Sequence, residues 1–234
     1  MGLAVPYDFR MGKAIPFRNR GHEVTRVEAF SDVVFGFALA LILVSGEVPE
    51  TFDELMAMMR GFPAFAICFG MLTWVWHVHH TFFRRYALAD EVTIILNTLL
   101  LFVVLFYTYP LKFVFSVLTG EIRGDARGGT LMMIYGLGFA GIFLLYLAMY
   151  WHAWRLRHEL ELNELELWDT RTNMMMYASY VVIGVLSALA GLFSGGWAGL
   201  LYWLIGPVSA LIGFRRGNGR QKLQTSLATA ATAT

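Results

Sequence analysis

Six long apolar runs follow one another along this chain, near residues 27–44, 57–80, 92–117, 131–154, 174–193 and 197–214. Each approaches or exceeds the roughly 20 residues a helix needs to cross the hydrocarbon of a bilayer. One such run is consistent with a buried helix of a soluble protein, but six in succession demand a larger core than 234 residues can build. The composition agrees, with 57% apolar and 15% charged residues and a mean hydropathy of +0.57. The fold class expected is therefore an all-α integral membrane protein of six transmembrane helices per subunit. A segment 1–25, a membrane domain 26–214 and a disordered tail 215–234 complete the expected division.

An even number of crossings puts both termini on one side. If that side is the cytoplasm, only Arg60, Lys112, Arg123 and Arg127 of the eighteen Lys and Arg residues fall on or near the outer side. Basic residues concentrate in cytoplasmic loops, so cytoplasmic termini of a multi-pass cell-membrane protein are predicted. The single cysteine, Cys68, excludes an intrachain disulfide and a four-thiolate metal site. A net charge of +1 offers no overall basic surface for nucleic acid. No small-residue cleavage signal accompanies the basic N-terminal segment, so no cleaved signal peptide is expected.

Gly46 and Pro49 in SGEVPE interrupt helical continuation after the first span. The short SGG at 194–196 predicts a tight hairpin between the last two spans, and HELELNELEL a charged helical extension at the membrane surface. Trp74, Trp76, Trp151 and Trp154 suit an interfacial belt, and Gly136, Gly138 and Gly141 permit close helix approach. Asp32, His77, His80 and Asn97 stand out, because polar groups near hydrocarbon need partners.

At about 100° per residue, Phe37, Leu41 and Val44 share one narrow face of the first span, with Phe30 close to the same line. Asp32 points roughly the other way. Spacing alone leaves two readings open: a pore-lining stripe, or ordinary packing in a bundle. In the second span Trp74, His77 and His80 lie three apart and can share a face, while His79 points away from the other two histidines. No acid or thiol completes a first shell around them, so a hydrogen-bonded brace is expected rather than a metal site. Asn97 in the third span both donates and accepts, which suits a tie between helices.

Arg26, Phe30, Ser31 and Asp32 form an R-x-x-x-F-S-D motif at the start of the first span. Together with WVWHVHH in the second span and LNTLLLF in the third, the motif resembles the lysosomal-type potassium channel family called TMEM175, in its prokaryotic six-span form. The resemblance is specific over about residues 22–112 and rests mainly on span number and length from 131 to 214. It implies a non-P-loop homotetrameric channel whose central pore is lined by the first helix, with K+ and other monovalent cations as permeant ions. It assigns the pore constriction to Phe37, then Leu41 and Val44. It assigns a hydrogen-bond network holding the pore helix to Arg26, Ser31 and Asp32, with Trp74, His77 and Asn97 as partners and His80 and Phe30 beside them.

The chain also departs from the family. Phe37 stands where many relatives carry a branched aliphatic residue, and Gly36 and Ala40 stand where relatives often carry a hydroxyl. No TVGYG-like run supplies rings of backbone carbonyls. The function expected is passive potassium permeation with modest K+ over Na+ selectivity, partnered by membrane lipids, without enzymatic activity, cofactor or metal. The alternative is a proton-coupled secondary transporter. Against it, the two halves show no visible inverted repeat or paired broken helices.

Overall fold

The computed structural model describes residues 17–44, 49–118 and 128–232, and within them the side chains of Leu43, Val44, Ala57, Leu118 and residues 230–232 are left aside. Among the described residues, eight helices follow in order: α1 (Arg26–Val44), α2 (Phe52–Arg60), α3 (Phe62–Tyr86), α4 (Glu91–Leu118), α5 (Gly128–Arg155), α6 (Glu164–Gly191), α7 (Gly195–Leu200) and, after a 3-10 turn at Leu201–Leu204, α8 (Ile205–Thr232). Among the described residues, five stretches are long and apolar enough to cross a membrane: Phe62–Tyr86, Glu91–Val117, Gly128–Arg155, Glu164–Gly191 and Gly195–Thr229. The 19-residue α1 is not among them, and it carries Arg26, Glu28 and Asp32 in its first two turns.

Local chemistry sets the helix ends. The Thr51 hydroxyl accepts the Glu54 amide at 3.2 Å and starts α2, a short amphipathic helix of nine residues outside the bundle. Gly61 ends it, and Pro63 sits in the first turn of α3, where its missing N–H has no helical partner to lose. The expected run at 57–80 is therefore two elements. The charged connection after α5 differs from expectation in the same way. It is not a continuous helical extension, because α5 stops at Arg155 and Glu161 adopts φ 47°. Asn163 then opens α6 with a capping box, its side chain accepting the Glu166 amide at 2.9 Å while Glu166 accepts the Asn163 amide at 3.1 Å.

The α5–α6 pair is the most extensive contact of the bundle. A Cβ on Gly136 would fall 2.7 Å from the Gly184 carbonyl oxygen, so these two glycines let the backbones touch. Helices in lipid associate through such close packing and hydrogen bonding, since burial of apolar surface brings little when the solvent is itself hydrocarbon. Phe82, Tyr86, Phe143, Tyr146, Tyr150 and Tyr177 fill the centre between α3, α5 and α6. The hairpin at 192–194 turns the chain into α7, and Tyr180 and Ser209 share a hydrogen bond of 2.8 Å between α6 and α8.

The tail also departs from expectation. Residues 215–232 are helical rather than disordered, continuing α8 to Thr232. Contacts with α6 hold this continuation at its start. Arg220 Nε donates to Asp169 at 2.7 Å, and Trp168 donates its indole N–H to the Arg216 carbonyl at 3.0 Å.

Candidate functional site

Thr25 starts α1, its hydroxyl accepting the Glu28 amide at 3.1 Å and its carbonyl the Ala29 amide at 2.9 Å. Beyond that cap the helix divides by face. Glu28, Ser31, Phe35, Ala38 and Ile42 are buried and recur at three- and four-residue spacing, on the side packed against α3 and α4. Opposite them, Phe30, Val33, Phe37 and Leu41 form an uncovered apolar strip, with Phe37 63% and Leu41 41% exposed. The Val44 side chain lies outside the described residues.

A directed hydrogen-bond chain fastens the buried face. The Ser31 hydroxyl donates to the Val27 carbonyl at 2.7 Å, which leaves its oxygen free to accept the Asn97 amide N–H at 2.9 Å. Asn97 Oδ1 is then the acceptor for His79 Nε2, 2.8 Å away. The imidazole proton of neutral His79 is thereby assigned to Nε2, and Nδ1 has no hydrogen-bond partner among the described residues. Phe35 and Phe83 flank the ring with centroids 5.4 and 4.7 Å away.

A second set of contacts lies nearer the edge. Asp32 accepts the Trp76 indole N–H at 2.7 Å, Trp76 stacks on His80, and His80 Nδ1 lies 3.5 Å from the buried Glu28 carboxylate. At the far end of α1, Lys112 Nζ of α4 donates to the Ile42 carbonyl at 3.0 Å, placing positive charge where the helix dipole is negative. The buried face of α1 is thus tied to both neighbouring helices along most of its length.

Of the WVWHVHH residues expected near α1, the structure brings His80 beside Glu28, stacked on Trp76. Trp74 packs instead between Phe143 and Tyr180, toward α5 and α6, and His77 is exposed. His79, read as pointing away, is fully buried at the centre of the network. The missed signal was the heptad-like series Cys68, Leu72, Val75, His79, Phe82, Tyr86, every member of which is buried. Arg26 is exposed, and no hydrogen bond or ion pair joins it to the network among the described residues; Phe30 lies on the uncovered strip. Trp76, expected in an interfacial belt, and Lys112, expected only as an outer-side charge, join α1 together with Glu28 through partners on other helices.

The segment before α1 is itself anchored. Arg18 and Arg20 both reach the nearly buried Glu166 at the start of α6, with closest N–O distances of 3.0 and 2.8 Å. The amides of Arg20 and Gly21 donate to the Arg84 carbonyl near the end of α3. Gly21 passes so close that an added Cβ would sit 3.0 Å from the Phe83 carbonyl oxygen.

Comparison with known proteins converges on the same region. A family model for the endosomal/lysosomal potassium channel TMEM175 matches residues 26–107, which contain α1, α3 and most of α4. A protein of Marivirga tractuosa named as a potassium channel is 38% identical over 220 residues, covering 84% of this chain and 89% of that protein. A Streptomyces collinus potassium channel is 29% identical over 143 residues, covering 58% of this chain and 68% of that one. Among solved structures, a variant of the potassium channel MtTMEM175 in complex with a nanobody–MBP fusion matches with TM-score 0.77 and 36% identity, covering 88% of this chain and 99% of that one. The TMEM175 homologue from Chamaesiphon minutus shares the fold at TM-score 0.56 and 23% identity, covering 82% and 96% of the two chains. By the extent of these matches and by the motif at the start of α1, the chain belongs to the TMEM175 family of potassium channels.

Proposed function

We propose that this protein is a passive, potassium-permeable cation channel in which the uncovered strip of α1 lines a pore on the axis of a homotetramer. The observation that carries the reading is the division of α1: one face is tied to its own subunit by Ser31, Asp32 and the Ile42 carbonyl, and the other presents Phe30, Val33, Phe37 and Leu41 to nothing. One helix cannot enclose a channel, so several copies must supply the wall. The number four comes from the family resemblance, six crossings with α1 as the first from the order of apolar runs, and cytoplasmic termini from the distribution of basic residues. The relatives' names as potassium channels support K+ as the main permeant ion.

In this reading Phe37 forms the narrowest ring and Leu41 the next, and an apolar constriction stops ions by dewetting. Neither side chain offers an oxygen to replace lost hydration, so selectivity for K+ over Na+ is modest. The test is single-channel recording of purified protein in a bilayer under opposing potassium and sodium gradients, with native mass measured on the same preparation. A tetrameric mass and unitary currents reversing toward the potassium equilibrium potential are expected. Monomers alone in active samples overturn the assembly, and saturable proton-coupled uptake without unitary current overturns the channel.

A further inference from the structure

Where α5 ends and α6 begins, three guanidinium groups gather on two indole rings. Arg171 lies 4.3 Å from the Trp154 ring centroid and Arg157 lies 5.5 Å from the same ring, its Nη1 donating to the Trp154 carbonyl at 3.2 Å. On α8, Arg216 covers the Trp168 ring at 4.1 Å, and its Nε donates to Thr172 Oγ1 at 3.1 Å. Arg171 and Arg216 are near enough for their charges to act on each other. Among the described residues, none of the three forms an ion pair with a carboxylate. Of the acids on the first two turns of α6, Asp169 is paired with Arg220 and Glu166 with Arg18 and Arg20, while Glu164 forms no ion pair among the described residues.

Gathered like charges without counter-charge attract an anion, and the planar guanidinium fork matches a phosphate group. A further feature distinguishes the source of that phosphate. Arg171, Met175, Val182 and Leu189 share one face of α6 at four- and seven-residue spacing, and the three apolar members are 48%, 55% and 52% exposed. A basic headgroup site thus sits at the polar end of an uncovered apolar track, on a helix long enough to span the bilayer. Indoles and arginines at that level belong to the interfacial zone of a membrane.

We propose that Arg157, Arg171 and Arg216, shelved on Trp154 and Trp168, form a binding site for the phosphate of an anionic phospholipid whose acyl chains follow Met175, Val182 and Leu189. The site is separate from α1 and depends on the membrane-spanning reading alone, so it stands whether or not the protein conducts ions.

Delipidated protein is titrated with phosphatidylglycerol, phosphatidylcholine or inorganic phosphate, and retained ligand is counted by native mass spectrometry. Phosphatidylglycerol should bind at least about tenfold more tightly than phosphatidylcholine, and millimolar-scale phosphate should not displace it. Each basic side chain near an anionic lipid surface is worth about fivefold in binding, so Arg157→Gln with Arg171→Gln should weaken phosphatidylglycerol by on the order of twentyfold. Unchanged retention in the double variant overturns the proposal. Displacement by inorganic phosphate makes this a soluble-anion site and also overturns it, as does a double variant that alters the oligomeric mass instead of lipid retention. If that variant does not fold, the unaltered protein decides. Its preference for phosphatidylglycerol should collapse in about 1 M salt, and a preference that survives there contradicts the site.

Discussion

Phe37 and His79 show how differently two residues can be read from the same kind of pattern. Phe37 was placed by spacing on a face with Leu41, and that face is the uncovered one. Phe37→Ala should widen the proposed ring and ease its wetting, raising unitary conductance or open probability several-fold in correctly assembled channels. Single-channel recording checks this, and an increase from Leu41→Ala instead would move the constriction one turn along α1. His79 belongs to the buried heptad-like series of α3 and not to the i, i+3 face of Trp74, His77 and His80. Its role depends on Asn97, which serves Ser31 with its amide and His79 with its carbonyl. Asn97→Ala removes two hydrogen bonds, each worth about 1 kcal/mol inside a membrane bundle, so a loss on the order of 2 kcal/mol is expected. Detergent-solubilised protein should melt at a lower temperature, whereas His77→Ala, at an exposed position outside the network, should leave it unchanged.

Among elements, the long apolar stretches were legible and their ends were not. Length and hydropathy locate α3 to α6 because lipid demands closed backbone hydrogen bonding over a full span. The break at Gly61, the capping box at Asn163 and the helical continuation through Arg216 and Arg220 depend on single polar side chains and distant partners. The strap before α1 belongs to this class, since only the fold brings Glu166, some 146 positions away in sequence, beneath Arg20 and Arg18. Glu166→Gln should release the strap and loosen the start of α1, seen as faster hydrogen exchange over 17–30. The expected cost is about 1–2 kcal/mol, below the ~3–5 of breaking a sealed pair, because the Arg18 side chain is 44% exposed and can turn to water. Asp90, just before α4, gives a pH dependence. Partial burial pushes its carboxyl upward, but hydrogen bonds from Thr93 and His152 outweigh that and hold it below the ordinary value. The unfolded carboxyl therefore takes up its proton at a higher pH than the folded one. Its stabilisation is complete above the ordinary carboxyl range and is lost as pH falls through the lowered folded value. Asp90→Asn should flatten that acid-side decline in thermal melts run from about pH 6 to about pH 3.

For the whole molecule, the membrane class and the family followed from the order of apolar runs and from R-x-x-x-F-S-D. Which surface faces a neighbouring copy is a different kind of question, since uncovered apolar side chains are normal against lipid too. Only the contrast between the two faces of α1 separates the alternatives, one face held by hydrogen bonds and the other left bare. The central claim is therefore that the bare face meets water in the conducting assembly. Cysteine accessibility tests it most directly, because Cys68, the only native thiol, is fully buried and gives little background. Single cysteines at Phe37, Leu41, Phe35 and Ala38 are exposed to a charged, membrane-impermeant thiol reagent during recording. Modification at 37 and 41 should block current within the exposure, while 35 and 38 stay unreactive behind α3 and α4. Block at 35 or 38 with no effect at 37 and 41 would contradict the account.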